Sequence, residues 1–271
     1  MKQYALYQVD AFTDRLFHGN PAAVVPLSEW LSDCRMLQIA QENNLSETAY
    51  IIEQATGVYH IRWFSPVCEI DFCGHATLAA AFVVLKQQPQ LQSVRFITQK
   101  VGELQVERHP SGGFLMDFPA RPPQWVDDVP DELLAGLSQA PRQVLRSDQA
   151  WFAIYDHCDQ VLALKPDLEL LKTLWPYDVV VTAPGYGFEQ HQYDFISRYF
   201  WPANGGAEDP VTGSIHAGLG PYWGERLGKD QLHAYQASAR GGSLQLSLQG
   251  ERVQVLGHAV LFMQGHLWVP Q

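Results

Sequence analysis

RWFSPVCEIDFCGHATLAAAFVV, residues 62–84, decides how the chain is read. It opens as a strand ending Arg62-Trp63-Phe64, with Pro66 two residues beyond the phenylalanine. An acidic loop follows, then Gly74 and His75 lead into an apolar run that predicts a helix over about 75–86. RYFWPANGGAEDPVTGSIHAGLGPYW, residues 198–223, repeats the order: Arg198-Tyr199-Phe200, Pro202, an acidic loop, Gly213, then small and apolar helical residues. Aligned on Gly74 and Gly213, His75 falls opposite Ser214, and the second loop is three residues longer. Such a repeat predicts two similar halves with helix N-termini at equivalent points. A helix N-terminus offers unpaired N–H groups and partial positive charge, so it suits an anion such as a carboxylate. Two of them facing one cleft would hold a carboxylate-bearing ligand.

Outward from these stretches, short runs with polar and apolar alternation predict strands over 4–9, 22–25, 48–53, 58–64, 101–107, 113–118, 161–164, 179–182, 194–200, 232–236, 244–248, 253–256 and 259–263. Helices are predicted over about 28–41, 75–86, 131–137, 167–174 and 211–226. The mixture is that of an α+β protein rather than a regular βαβ series. No GxGxxG follows the first strand, which speaks against a dinucleotide fold. The proline-rich PARPPQWVDDVP, residues 119–130, marks a domain boundary. It separates an N-terminal half, 1–118, completed by the last C-terminal strand, from a C-terminal half, 119–271.

The 271 residues, 46% of them hydrophobic, suffice for a sizeable core or two smaller ones. With a net charge of -11 and Lys and Arg scattered singly, there is no basic face for nucleic acid. The longest largely apolar run, 76–85, is too short to span a bilayer, and the N-terminus has no apolar signal-peptide core. The four cysteines match neither a zinc knuckle nor a disulfide framework, and the ten histidines form no HExxH pair. These features together predict a reduced, soluble, cytoplasmic protein, and no spacing asks for a metal.

Four segments then line up with one family: FHGNPAAVV from Phe17, NNLSETAY from Asn43, FSPVCEIDFCGHATLA from Phe64 and GGAEDPVTGS from Gly205. Together, over nearly the whole chain, they resemble the phenazine-biosynthesis isomerase family (PhzF-like). The resemblance implies the diaminopimelate epimerase fold: two pseudo-symmetric halves, each a curled β-sheet around a central helix. It implies an isomerase that needs no cofactor and no metal and moves a carbon-bound proton in a small carboxylated, cyclic amino-acid-like metabolite. A homodimer is implied as well. Carried over residue by residue, the acid/base group falls on Glu47. His75 and Asp209 stand beside it as catalytic residues, and Asn20, Gly74, Gly213 and Ser214 as substrate-binding ones.

Each residue also has a plain structural reading. Glu47 sits among apolar neighbours, where burial would raise a carboxyl pKa toward what a proton shuttle needs; alternatively it is a surface carboxylate. His75 in the first helical turn is expected to have a lowered pKa, or to be a satisfied polar residue at a helix start. Gly74 before it eases close ligand approach. Asp209 before Pro210 also reads as an N-cap, Asn20 as a turn residue before Pro21, and Glu69, Asp71 and Glu208 as loop charges. Cys73 takes the place of one cysteine of the two-cysteine epimerases, but Thr212 stands where the second would be. A cysteine-pair racemisation is therefore disfavoured, and Cys73 reads as a small buried hydrophobe or a redox-sensitive thiol. The competing functional reading is a non-catalytic protein that binds a small acid on the same fold.

Overall fold

A computed structural model describes residues 1–189 and 192–270. The chain divides into two compact units, Met1–Asp117 with Leu256–Gln271, and Phe118–Val255. The first holds β1 (Lys2–Ala11), β2 (Asn20–Leu27), α1 (Asp33–Asn43), β3 (Glu47–Ala55), β4 (Val58–Phe64), β5 (Glu69–Ile70), α2 (Gly74–Gln87), β6 (Ser93–Ile97), β7 (Glu103–Arg108) and β8 (Phe114–Pro119). The second holds β9 (Gln124–Trp125), α3 (Asp131–Gly136), β10 (Gln143–Arg146), β11 (Ala150–Ile154), α4 (Cys158–Ala163), α5 (Leu168–Lys172), β12 (Asp178–Pro184), β13 (Phe195–Phe200), β14 (Glu208–Asp209), α6 (His216–Leu227), β15 (Gln231–Gln236), β16 (Gly242–Gln249) and β17 (Arg252–Gly257). The last strand, β18 (Ala259–Val269), returns to the first unit and pairs antiparallel with β1 from Lys2↔Val269 to Ala11↔Ala259.

In the first unit β2–β3 and β4–β6 are parallel pairs, and β1–β2, β3–β4, β4–β5, β6–β7 and β7–β8 are antiparallel. The sheet curls round α2, which touches β1, β2, β3, β6 and β18. Eleven of the fourteen α2 residues are buried, so the helix is apolar on nearly every side, as a helix enclosed by a sheet must be. Ala76, Ala79, Ala80 and Ala81 are fully enclosed and let the strands approach closely. On the opposite face of β2, Ala23, Val25 and Leu27 pack with Met36 and Ile39 of α1.

The second unit repeats this connectivity. β11–β12 and β13–β15 are parallel, and β12–β13, β13–β14 and β15–β16 antiparallel. Its helix α6 contacts β15 and β16, and stacks Trp223 on Phe195 of β13 at 5.8 Å. Pro221 has no N–H for the Ala217 carbonyl, which would leave a buried acceptor unpaired. The Arg121 N–H from the proline-rich segment donates to that carbonyl at 2.8 Å instead.

The repeat seen in the sequence extends to residues whose role the sequence hid. Glu69 and Glu208, read as loop charges, both lie on strands and accept bidentate guanidinium bonds. Arg62 bonds Glu69 at 2.7 and 2.6 Å, and Arg198 bonds Glu208 at 2.8 and 2.9 Å. Each arginine also lies over its own strand's phenylalanine, Phe64 at 5.3 Å and Phe200 at 5.0 Å.

Some predicted elements are corrected. Residues 161–164 lie in α4 and its C-cap rather than a strand, because the Gln160 side chain returns to the Asp156 and His157 N–H groups and closes a capping box. α1 begins at Asp33, not 28, where the Ser32 hydroxyl caps the Arg35 N–H. α6 begins at His216, not 211. The chain before it runs in tighter turns, with His216, Ala217 and Gly218 bonded three residues back. The strands at 93–97, 143–146 and 150–154 were not predicted.

Candidate active site

In the first unit, four expected residues come together. Glu47 is the first residue of β3, Asn20 the first of β2, and Gly74 and His75 open α2. All are buried. Ala22 pairs with Glu47 in the parallel β2–β3 register, which brings the two strand starts side by side. Asn20 is therefore more than a turn residue. Its amide lies 3.1 Å from His75 Nδ1 and accepts from the Ser46 hydroxyl at 3.2 Å. In the neutral ring an acceptor role for Nδ1 leaves Nε2 as the N–H, and in the protonated ring both nitrogens donate; either way Nε2 presents an N–H to Glu47.

His75 Nε2 and Glu47 Oε2 are 2.9 Å apart, close enough for a charge pair. The angle is not that of a hydrogen bond, and Oε2 has no hydrogen-bond partner among the described residues. A buried carboxylate oxygen left without a donor is costly to fold around. Cys73, the N-cap of α2, puts its sulfur 3.4 Å from Nδ1 and 3.9 Å from Nε2 of His75.

The expected lowering of His75 is overturned. Burial does push the ring down, but the neighbouring Cys73 and Glu47 push harder the other way, and His75 is held well above the ordinary imidazole value. A helix N-terminus acts weakly beside a carboxylate at ion-pair distance. A base with a raised folded value adds stability that is complete below the ordinary value and lost as pH climbs through the raised one. Burial, then Glu47, pushes the Cys73 thiol up to about 11, so it is a protonated, poorly nucleophilic thiol at neutral pH.

The second unit holds Asp209, Gly213 and Ser214. Asp209 is not an N-cap: it lies on β14, paired with Tyr199, and its carboxylate accepts from the Thr212 hydroxyl. The Ser214 hydroxyl accepts from Gln149 at 3.0 Å. The same Gln149 amide reaches the Tyr199 hydroxyl at 3.0 Å, which donates to Asp178 at 2.6 Å. Burial raises the Asp178 carboxyl, against hydrogen bonds from Tyr199 and Asn204 that lower it. Gln149, Tyr199, Asp178 and Ser46 were missed by sequence reasoning: Gln149 and Asp178 lie in no motif, and Ser46 and Tyr199 lie in segments that point to Glu47 and to the arginine repeat instead.

His216, behind Ser214 on α6, is fully buried. Its Nδ1 donates to the Thr212 carbonyl at 2.9 Å, and Nε2 has no partner among the described residues. Burial lowers it from 6.5 to about 4. The unfolded chain takes up the proton near 6.5 and the folded one only near 4, so acid favours unfolding. The stability is complete above about 6.5 and falls by about 3 kcal/mol on the way to pH 4. We expect His216→Asn, which keeps a donor for Thr212, to flatten that part of the unfolding free energy against pH. An unchanged acid slope in urea titrations would refute the assignment.

An α+β fold of two similar units, each built on a central helix, is the epimerase-like fold class. The comparisons agree. The family model described as phenazine biosynthesis-like protein (PhzC-PhzF) matches residues 9–265. An uncharacterized isomerase of Pseudomonas aeruginosa is 45% identical over 98% of this chain and 99% of its own. A PhzF-family crystal structure from Enterococcus faecalis superposes with a TM-score of 0.90 at 39% identity, covering 99% of this chain and 100% of that one. A hydroxyproline epimerase from Agrobacterium vitis shares the fold, with a TM-score of 0.60 at 8% identity over 98% of this chain and 92% of its own. The chain belongs to the phenazine biosynthesis-like, or PhzF, family. Among the described residues no helix is long and apolar enough to cross a membrane.

Proposed function

We propose that the protein is a cofactor-independent isomerase that moves a carbon-bound proton in a small carboxylate-bearing substrate, with Glu47 as acid and base. One observation carries this reading: Glu47 Oε2 is buried, faces the His75 Nε2 at 2.9 Å, and lacks an aligned donor. Such an oxygen is free to take a proton from a substrate carbon. The electron pair left behind passes into an adjacent carboxylate or enamine system. The protonated Glu47 then delivers the proton to another carbon, which restores the carboxylate. His75, oriented by Asn20, keeps an N–H beside the changing charge. The isomerase name of the Pseudomonas relative supports the same class of reaction. The roles assigned to Asp209 as a second catalytic carboxylate, and to Gly74, Gly213 and Ser214 as substrate-binding groups, belong to the same reading.

The test is solvent exchange. The protein is incubated in heavy water with an extract of small cellular acids and a set of cyclic amino acids, and the products are read by mass spectrometry. Deuterium gained by one acid, only when the protein is present, is the expected result and names the substrate. Retention of an acid by the protein without deuterium gain would make it a binding protein. No exchange in any carboxylated compound would sink the isomerase reading.

A further inference from the structure

Glu47, Cys73 and His75 offer a donor set that proton transfer does not use in full. One ligand atom from each falls within 4.8 Å of the others. Cys73 Sγ lies 3.9 Å from His75 Nε2, and Nε2 lies 2.9 Å from Glu47 Oε2. A tetrahedral zinc ion with sulfur, nitrogen and oxygen ligands at about 2.0–2.3 Å holds those atoms roughly 3.3–3.8 Å apart. These two separations bracket the ones zinc requires, and side-chain torsions can close the difference.

Three further observations point to a ligand here. Glu47 Oε2 is a buried acceptor with no hydrogen-bond partner among the described residues. All three donors stand at rigid places, the first residue of β3, the N-cap of α2 and the second residue of α2. The other ring nitrogen, Nδ1, already has an outer partner in Asn20, itself tied to Ser46. A zinc-ligating imidazole donates from its other nitrogen, and the Asn20 amide serves as that outer partner once it turns its oxygen toward Nδ1. A thiolate, an imidazole and a carboxylate suit zinc or cadmium far better than magnesium or calcium, which prefer oxygen alone.

We propose that Glu47 Oε2, Cys73 Sγ and His75 Nε2 form a three-ligand site for one cation of the zinc class. Binding expels the thiol proton and the Nε2 proton to solvent. The ring keeps or takes a proton on Nδ1, which the Asn20 amide accepts once turned to present its oxygen. The fourth position of the ion stays open to water or a carboxylate. Because the ion claims the Glu47 oxygen, occupancy blocks proton transfer. That consequence rests on the function proposed above; the binding itself does not.

Cadmium is the direct probe, because a cadmium–thiolate bond absorbs in the ultraviolet. Cys34 and Cys68, both exposed, are first replaced by serine to silence them. Titration with Cd2+ is then expected to raise a charge-transfer band that saturates at one ion per chain and is displaced by Zn2+. Glu47→Gln and His75→Gln should each weaken binding by roughly 10- to 100-fold or more, and Cys73→Ser should abolish the band. No band, or a band that survives Cys73→Ser, overturns the site. If Cys73→Ser does not fold, the alkylation rate of Cys73 in the parent chain decides. Slowing by Zn2+ supports the site, and an unchanged rate overturns it. Cadmium binding without solvent exchange in any acid would keep the site and sink the isomerase; exchange without binding would do the reverse.

Discussion

Gly19→Ala is expected to cost the first unit about 4–5 kcal/mol and to lower its melting temperature sharply. Gly19 has a φ of +66°, in the left-handed region that an alanine enters only at a cost of roughly 1–2 kcal/mol. Strain alone would be tolerable. The larger effect is steric: a Cβ at this position would lie 2.2 Å from the Ala11 carbonyl oxygen and 2.7 Å from the Thr13 methyl. Neither is the loose end of a flexible chain. Ala11 is locked in register between Asn20 and Ala259 on two neighbouring strands, so relief requires the start of β2 to move. Asn20 is that start, and its hold on His75 goes with it. Gly112→Ala is the internal control. Its φ is +88°, but nothing lies within 4 Å of the added carbon, so only the strain remains, about 1 kcal/mol. Chemical unfolding of both variants separates the two terms. Equal losses at the two positions would show that the contact with Ala11 gives way more easily than its strand pairing implies.

How far the sequence could be read depended on whether the deciding interaction was local. The central helix α2 was legible because its signal is continuous: a glycine, then small and apolar residues on every side. The Arg-aromatic-Phe repeat was legible for the same reason. Its partners Glu69 and Glu208 were not, because a charge near a proline looks solvated until the strand register sets it beside an arginine. Residues 161–164 show the limit of local pattern. A short apolar run fits a strand or a buried helical turn, and the choice fell to a glutamine bonding its own backbone. At the site, Glu47, His75 and Asn20 came from the family resemblance, and the structure brings them into contact. The raised His75 pKa was out of reach of a helix-end rule, because its causes include a carboxylate 28 positions earlier in the chain. The alternative reading of Asp209 as a cap rests on its place before Pro210. The strand pairing with Tyr199 overrode that local preference.

Glu47→Gln is expected to slow solvent exchange into the substrate by about 10²- to 10⁴-fold, the usual worth of a positioned acid or base. In barrier terms that is about 3–5.5 kcal/mol. The variant should still fold, with His75 shedding the proton that Glu47 helped to hold. Glutamine has nearly the same shape, so the packing at the start of β3 is retained. It is uncharged, so the cost of burying a carboxylate whose Oε2 has no aligned donor is removed. What is lost in return is the attraction between that oxygen and His75, 2.9 Å away. Functional sites often hold such locally unfavourable groups, and neutralising them tends to trade activity for stability. Exchange therefore falls far more than stability if Glu47 is the proton carrier, whereas a purely structural Glu47 would lose both together. Glu47→Asp adds a second discrimination. It keeps a group able to carry the proton but withdraws it by one methylene, which damages geometry and not chemistry. Its rate should fall between those of the parent and Glu47→Gln, with the loss mainly in kcat. If exchange persists undiminished in Glu47→Gln, the proton travels by another group and the role assigned to this carboxylate is wrong.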